Sequence, residues 1–195
     1  MSMRKPMDIR VADMTVVALV AVLILMGKTV LRMPIHLSGH AGVLWIAALV
    51  IGRGAVRRPW SATFMALIGG LLVAFLQPNQ TGPLFTVATY VIPGMVLDGL
   101  APLFCDRLDR LVPAAVAGAA AHAGKVAVDL VQGIAAGLPA NVLAVGLPAE
   151  LALHIVFGAL GGVLAALVLR TLIRARVPQV AGLGDAPRPP DGDTT

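Results

Sequence analysis

The chain has 195 residues, of which 58% are hydrophobic, 13% charged and 4% aromatic, with a formal net charge of +5. A water-soluble domain carries about 25% charged residues, so this composition excludes an ordinary soluble enzyme and leaves no length for a second sizeable domain. The basic balance does not indicate nucleic acid, because the charges sit in short clusters between apolar runs, as loop charges of a membrane protein do.

Taken in order, the chain predicts six membrane-crossing helices, each built on an apolar run near the roughly 20 residues a span requires. Residues 1–11 form a basic leader with Arg4, Lys5 and Arg10, followed by a first helix from Ala12 to about Leu31. No small-residue cleavage site follows, so this run reads as a retained helix and not a signal peptide. The second helix is expected from Ile35 to Ile51, and the third from Trp60 to Leu76, with Pro59 suited to a first turn. Residues 77–83 make a turn rich in Pro, Asn and Gly. The fourth helix spans Leu84 to Phe104 across Pro93, the fifth Val112 to Ala136, and the sixth about Leu147 to Leu169. The bundle thus occupies residues 12–176. From 177 to 195 Gly, Pro and Asp dominate, which predicts a disordered tail.

Basic residues set the orientation. Arg53, Arg57 and Arg58 separate helices 2 and 3, Arg107 and Arg110 separate helices 4 and 5, and Arg170, Arg174 and Arg176 follow helix 6. The alternate connections, residues 33–40, 77–83 and 137–147, contain no Lys or Arg. This is the positive-inside pattern of a multi-pass protein of the plasma (bacterial inner) membrane with both termini cytoplasmic. Lys28 and Arg32, at the outer end of helix 1, depart from it. With a single cysteine, Cys105, no intramolecular disulfide exists.

Ionisable groups at bilayer depth are costly and face a bundle interior or a cavity. Helix 5 carries His122, Lys125, Asp129 and Gln132 at spacings that share one face, and helix 6 carries Glu150 and His154 four apart. Asp129, Gln132, Glu150 and His154, with His36, His40, Trp45 and Tyr90, lie in the outer half, whereas the inner half holds chiefly Asp98. That asymmetry predicts a solvated, outward-facing substrate site, weighed against simple helix-fixing polar contacts. Lys28, Arg32 and Lys125 suit an anionic solute, and Asp129 and Glu150 a cationic group. His36 and His40, with His154 and Glu150 completing a shell, are the candidate metal ligands, although His-x3-His without a neighbouring Glu is a weak signal. No cofactor is expected.

Enzyme signatures are missing. The sequence has no Gly-x-Ser-x-Gly elbow, no paired intramembrane aspartates and no phosphate-cradling Gly-x4-Gly-Lys loop. Energy for transport would have to come from a partner or an ion gradient. Small-residue stripes at Ala62, Ala66 and Gly70 in helix 3, and at Gly158, Gly162 and Ala166 in helix 6, are candidate surfaces for either internal packing or a membrane partner.

The segment from His36 to Gly52, HLSGHAGVLWIAALVIG, and the Gly/Ala-rich run from Gly158 to Ala166 resemble the substrate-binding S components of energy-coupling factor (ECF) transporters. The likeness spans most of residues 10–176 and is architectural: six helices, cytoplasmic termini and an outer polar set. It implies a non-enzymatic subunit that captures a small, vitamin-like solute, or cobalt or nickel in some branches. Its partners would be a transmembrane coupling subunit and two cytoplasmic ATPases. Helix 1 lacks the family's Ala-x3-Ala docking motif, since Ala18 and Ala21 are three apart. The chain also begins Met-Ser where the metal branches begin Met-His, which points away from a metal cargo. A proton-coupled carrier using Asp129 or Glu150, and a purely structural membrane protein, are the alternatives.

Overall fold

The computed structural model describes residues 11–30, 40–77 and 82–177, apart from the side chains of 28–30. His36, Arg32, the basic leader and the expected disordered tail lie outside these residues, except for Val11 and Val177. Every regular element among the described residues is helical: α1 (Val11–Val30), α2 (Gly42–Val56), α3 (Ser61–Leu76), α4 (Gly82–Leu100), a 3-10 turn (Ala101–Phe104), α5 (Leu111–Ala135) and α6 (Ala140–Arg174). Three of them, α4 with its 3-10 extension, α5 and α6, are long and apolar enough to cross a membrane, and α1, α2 and α3 are shorter apolar helices.

Three boundaries differ from expectation. α2 begins at Gly42, after a turn at His40 and Ala41, and not with a helix running in from Ile35. α2 runs past Ile51 to Val56, so Arg53 lies inside a helix and not in a connection. α6 begins at Ala140, directly after a tight turn through Gly137 (φ 74°), and not near Leu147. Pro148, at the expected start, sits within α6. An internal proline removes one backbone hydrogen bond, and α6 runs through that gap as one helix to Arg174.

The helices close a ring in the order α1, α3, α4, α5, α6, α2, and α2 also reaches inward to touch α3 and α5. The middle of α2 is accordingly apolar: Ile46, Leu49 and Val50 have no exposed surface. The outside of the bundle is apolar as well. Val11, Phe75, Leu84, Val112 and Val145 are 72–84% exposed, an extent of open hydrocarbon that monomeric soluble proteins do not tolerate.

Without a hydrophobic drive between helices in lipid, close packing of small residues has to hold them. At the α5–α6 crossing a Cβ on Gly158 would stand 2.5 Å from the Gly118 carbonyl oxygen and 2.6 Å from His122 Cβ. Gly162 lies against Ala114, and Ala166 is fully buried. The other stripe works in the same way: Ala62 and Ala66 are fully buried, and Ala66 approaches Gly94 of α4 while Gly70 approaches Val87 and Tyr90. Both stripes considered as partner surfaces are therefore consumed inside the bundle.

One end of the bundle gathers arginines around a buried ion-pair cluster. Arg53 (2% exposed) bridges Asp98 through Nε at 2.9 Å and Asp106 through Nη2 at 2.8 Å. Asp98 in turn accepts hydrogen bonds from the Thr63 N–H and hydroxyl, both at 2.8 Å, and from the Ala62 N–H at 3.3 Å. Trp60, at the N-cap of α3, has φ 64° and provides no side-chain cap, so a carboxylate from α4 satisfies the orphan amides of α3 and favours its dipole. Asp13–Arg58 (3.1 Å) ties α1 to this end, and Arg170 Nε donates to the Asp109 carbonyl (2.8 Å), tying α6 to it. Burial pushes the Asp109 carboxyl up, but the hydrogen bond and charge of Arg107 outweigh this and hold it below the ordinary carboxylate range.

Candidate functional site

The opposite end holds the histidines. α2 starts deep: a Cβ on Gly42 in its first turn would overlap the His122 ring. α5 continues from His122 to Ala135, and α6 starts at Ala140 and reaches His154 only further on. At 1.5 Å per residue their hairpin projects about 20 Å beyond the start of α2. The polar residues of α5 and α6 border this step between a short central helix and two long ones.

Four expected site residues form its floor. Trp45, Tyr90, His122 and His154 are 6%, 3%, 1% and 1% exposed. Trp45 meets Tyr90 (centroids 5.2 Å, 70°) and His122 (5.3 Å, 90°) edge to face, and His122 meets His154 at 4.4 Å. Edge-to-face contacts are the favoured geometry of such rings. These side chains fill one another's space and do not line an open cavity, a departure from the expected open pocket. The sequence spreads them over four helices; only the tertiary contact of α2, α4, α5 and α6 brings them together.

Above the floor sit the charges. Lys125 and Asp129 form the expected i,i+4 ion pair, with side chains 24% and 21% exposed. Across the helix pair, one carboxylate oxygen each from Asp129 and Glu150 and one ring nitrogen of His154 lie within 4.8 Å of one another. Nδ1 of His154 is 2.9 Å from the Glu150 carbonyl; since a carbonyl only accepts, Nδ1 carries the proton and the Nε2 lone pair is left. Nε2, like Nδ1 of His122, is buried without a hydrogen-bond partner among the described residues. Gln132, a turn beyond Asp129, is half-buried, as is His40 in the turn leading into α2. His36 is outside the described residues, so the expected His36–His40 metal pair has no geometry here.

A separate open groove of about 370 Å³ lies between α5 and α6, lined by Ala123, Val126, Leu130, Pro148 and Leu151 among others. Its lining is apolar, which suits hydrocarbon and not a polar solute.

Sequence reading misses the Arg53–Asp98–Asp106 cluster. Arg53 scans as one more loop cation, and the available signal is an aspartate, Asp98, at the same end of the bundle as the arginines. No protein-family model, no curated protein and no solved structure matches the chain. What the site does therefore has to follow from its own residues.

Proposed function

We propose that the chain is a six-span membrane subunit that captures a small polar solute for an energy-coupling-factor-type importer. The observation that carries this reading is the polarity of the bundle's two ends. Arginines gather at one, while Lys125, Asp129, Gln132, Glu150 and the two buried histidines gather at the other, bordering the recessed start of α2. The positive-inside rule puts the arginine end and both termini in the cytoplasm, so the charged rim faces out. The 15 residues of α2 reach only about 22 Å, which a helix shielded by its neighbours tolerates because lipid does not have to cover it.

In this reading Lys125 holds an anionic group of the solute, Asp129 and Glu150 a cationic one, and the Trp45–Tyr90–His122–His154 floor sets the depth of the site. In the same reading the energy comes from cytoplasmic ATPases acting through a transmembrane coupling subunit, since the chain has no nucleotide-binding loop of its own. Native mass spectrometry on protein gently extracted from its own host's membranes tests this. The expected result is a bound small mass or co-purifying coupling and ATPase subunits. A bare chain that vitamins do not stabilise thermally would overturn the reading. Gradient-driven uptake by the chain alone in liposomes would assign it instead to the proton-coupled carriers.

A further inference from the structure

We propose that Asp129, Glu150 and His154 form a binding site for a first-row divalent transition-metal ion, bridging α5 and α6. Three donors of the right chemistry converge there. One carboxylate oxygen each from Asp129 and Glu150 and one of the two His154 ring nitrogens lie within 4.8 Å of one another. Donors around a zinc-sized ion at about 2.0–2.2 Å sit roughly 3.0–3.5 Å apart, so rotamer shifts of about an ångström close the site. Glu150 and His154, four apart, present their donors from one face of α6, and Asp129 reaches them from the facing helix.

A second, independent observation concerns His154 itself. It is 1% exposed, its Nδ1–H is held by the Glu150 carbonyl at 2.9 Å, and its Nε2 has no partner among the described residues. A buried unpaired nitrogen is costly unless something occupies it. A ring N–H donated to a backbone carbonyl is also how metal-binding imidazoles are oriented and made more basic. The neighbouring His122, its ring centroid 4.4 Å from that of His154 and its Nδ1 equally unpartnered among those residues, places a second imidazole nitrogen beside the three donors. One imidazole with two carboxylates selects zinc, cobalt or nickel over magnesium or calcium, which take oxygen ligands alone.

The Lys125 ammonium contacts the same Asp129 carboxylate, and a divalent ion competes with it. That competition gives the site a signature that a merely structural cluster lacks: removing the lysine charge tightens the ion. The test is a cobalt(II) titration of the full chain in detergent, purified without a polyhistidine tag and stripped with chelator, read by visible absorption and calorimetry. One ion per chain is expected, displaced by zinc and indifferent to excess magnesium or calcium. Glu150→Gln and His154→Ala should each weaken it at least about tenfold, and Lys125→Met should tighten it several-fold. His154 is packed, so its variant is read only if it stays monodisperse; half-buried Glu150→Gln reports on the same site independently. No stoichiometric cobalt signal, unchanged affinity in Glu150→Gln, equal binding of magnesium, or weaker binding in Lys125→Met would each overturn the proposal. The measurement uses the isolated chain, so it stands or falls apart from the importer reading, which depends on co-purifying partners and uptake.

Discussion

Asp98 illustrates how much a single side chain carries in this bundle. It neutralises Arg53, caps α3 from a neighbouring helix and is itself only 9% exposed. Removing Asp98 leaves the buried Arg53 with the partly exposed Asp106 at its Nη2 but nothing at its Nε, and the cost of about 3–5 kcal/mol for a fully unpaired buried charge is the upper bound. Asp98→Ala is therefore expected to lower the thermal unfolding midpoint in detergent markedly. Asp98→Asn, which keeps an acceptor for the Thr63 amide, should lose less. Equal midpoints for Asp98→Ala and the parent chain would show that Arg53 finds sufficient solvation without Asp98. At the other end, Asp129→Ala should abolish solute binding in a protein that still folds, since its pair with Lys125 is partly exposed and exposed pairs contribute only about 0–1 kcal/mol to stability. Ligand-induced thermal shifts of the purified variant check this. The presence of Asp98, Lys125, Asp129 and Glu150 in apolar runs is visible in the sequence; which of them is buried is not, because that depends on what the facing helix presents.

At the scale of elements, α5 and α6 are held by glycine contacts at backbone distance. Gly158 meets both the Gly118 carbonyl and His122, so Gly158→Ala must push the helices apart just beneath the charged rim. Gly146 lies in the same helix with open space where its Cβ would be. There alanine replaces the most costly helical residue but proline, a gain of about 0.5–1 kcal/mol. The pair of substitutions should thus move stability in opposite directions, measured by thermal unfolding of each purified variant. The Gly/Ala spacing of α6 marks it in the sequence as a close-packing helix. Its partner is not marked, because the same stripe suits an internal neighbour or a separate subunit equally well. The start of α6 is also hidden: residues 137–147 read as a connection, whereas the helix begins at Ala140 and runs through Pro148.

At the scale of the whole molecule, orientation has a direct test in Cys105, the only cysteine in the chain. It is exposed and lies at the arginine end. A membrane-impermeant maleimide should label it in inside-out vesicles and leave it unlabelled in intact cells, whereas Asn141→Cys in a Cys105→Ser background should show the reverse. Labelling of Cys105 from outside would invert the proposed topology. The sequence by itself determined the all-helical class, the approximate number of helices, and the segregation of arginines from the other polar groups. Apolar run length and charge placement are local properties that survive in one dimension. Tertiary structure alone decided that Arg53 is a buried anchor, that both small-residue stripes are spent internally, and that two histidines, a tryptophan and a tyrosine form one packed floor. It alone brought donor atoms of Asp129, Glu150 and His154 within 4.8 Å of one another. These features depend on the register at which distant helices meet, and that register is set by backbone contacts at glycines such as Gly118 and Gly158 that no linear pattern pairs.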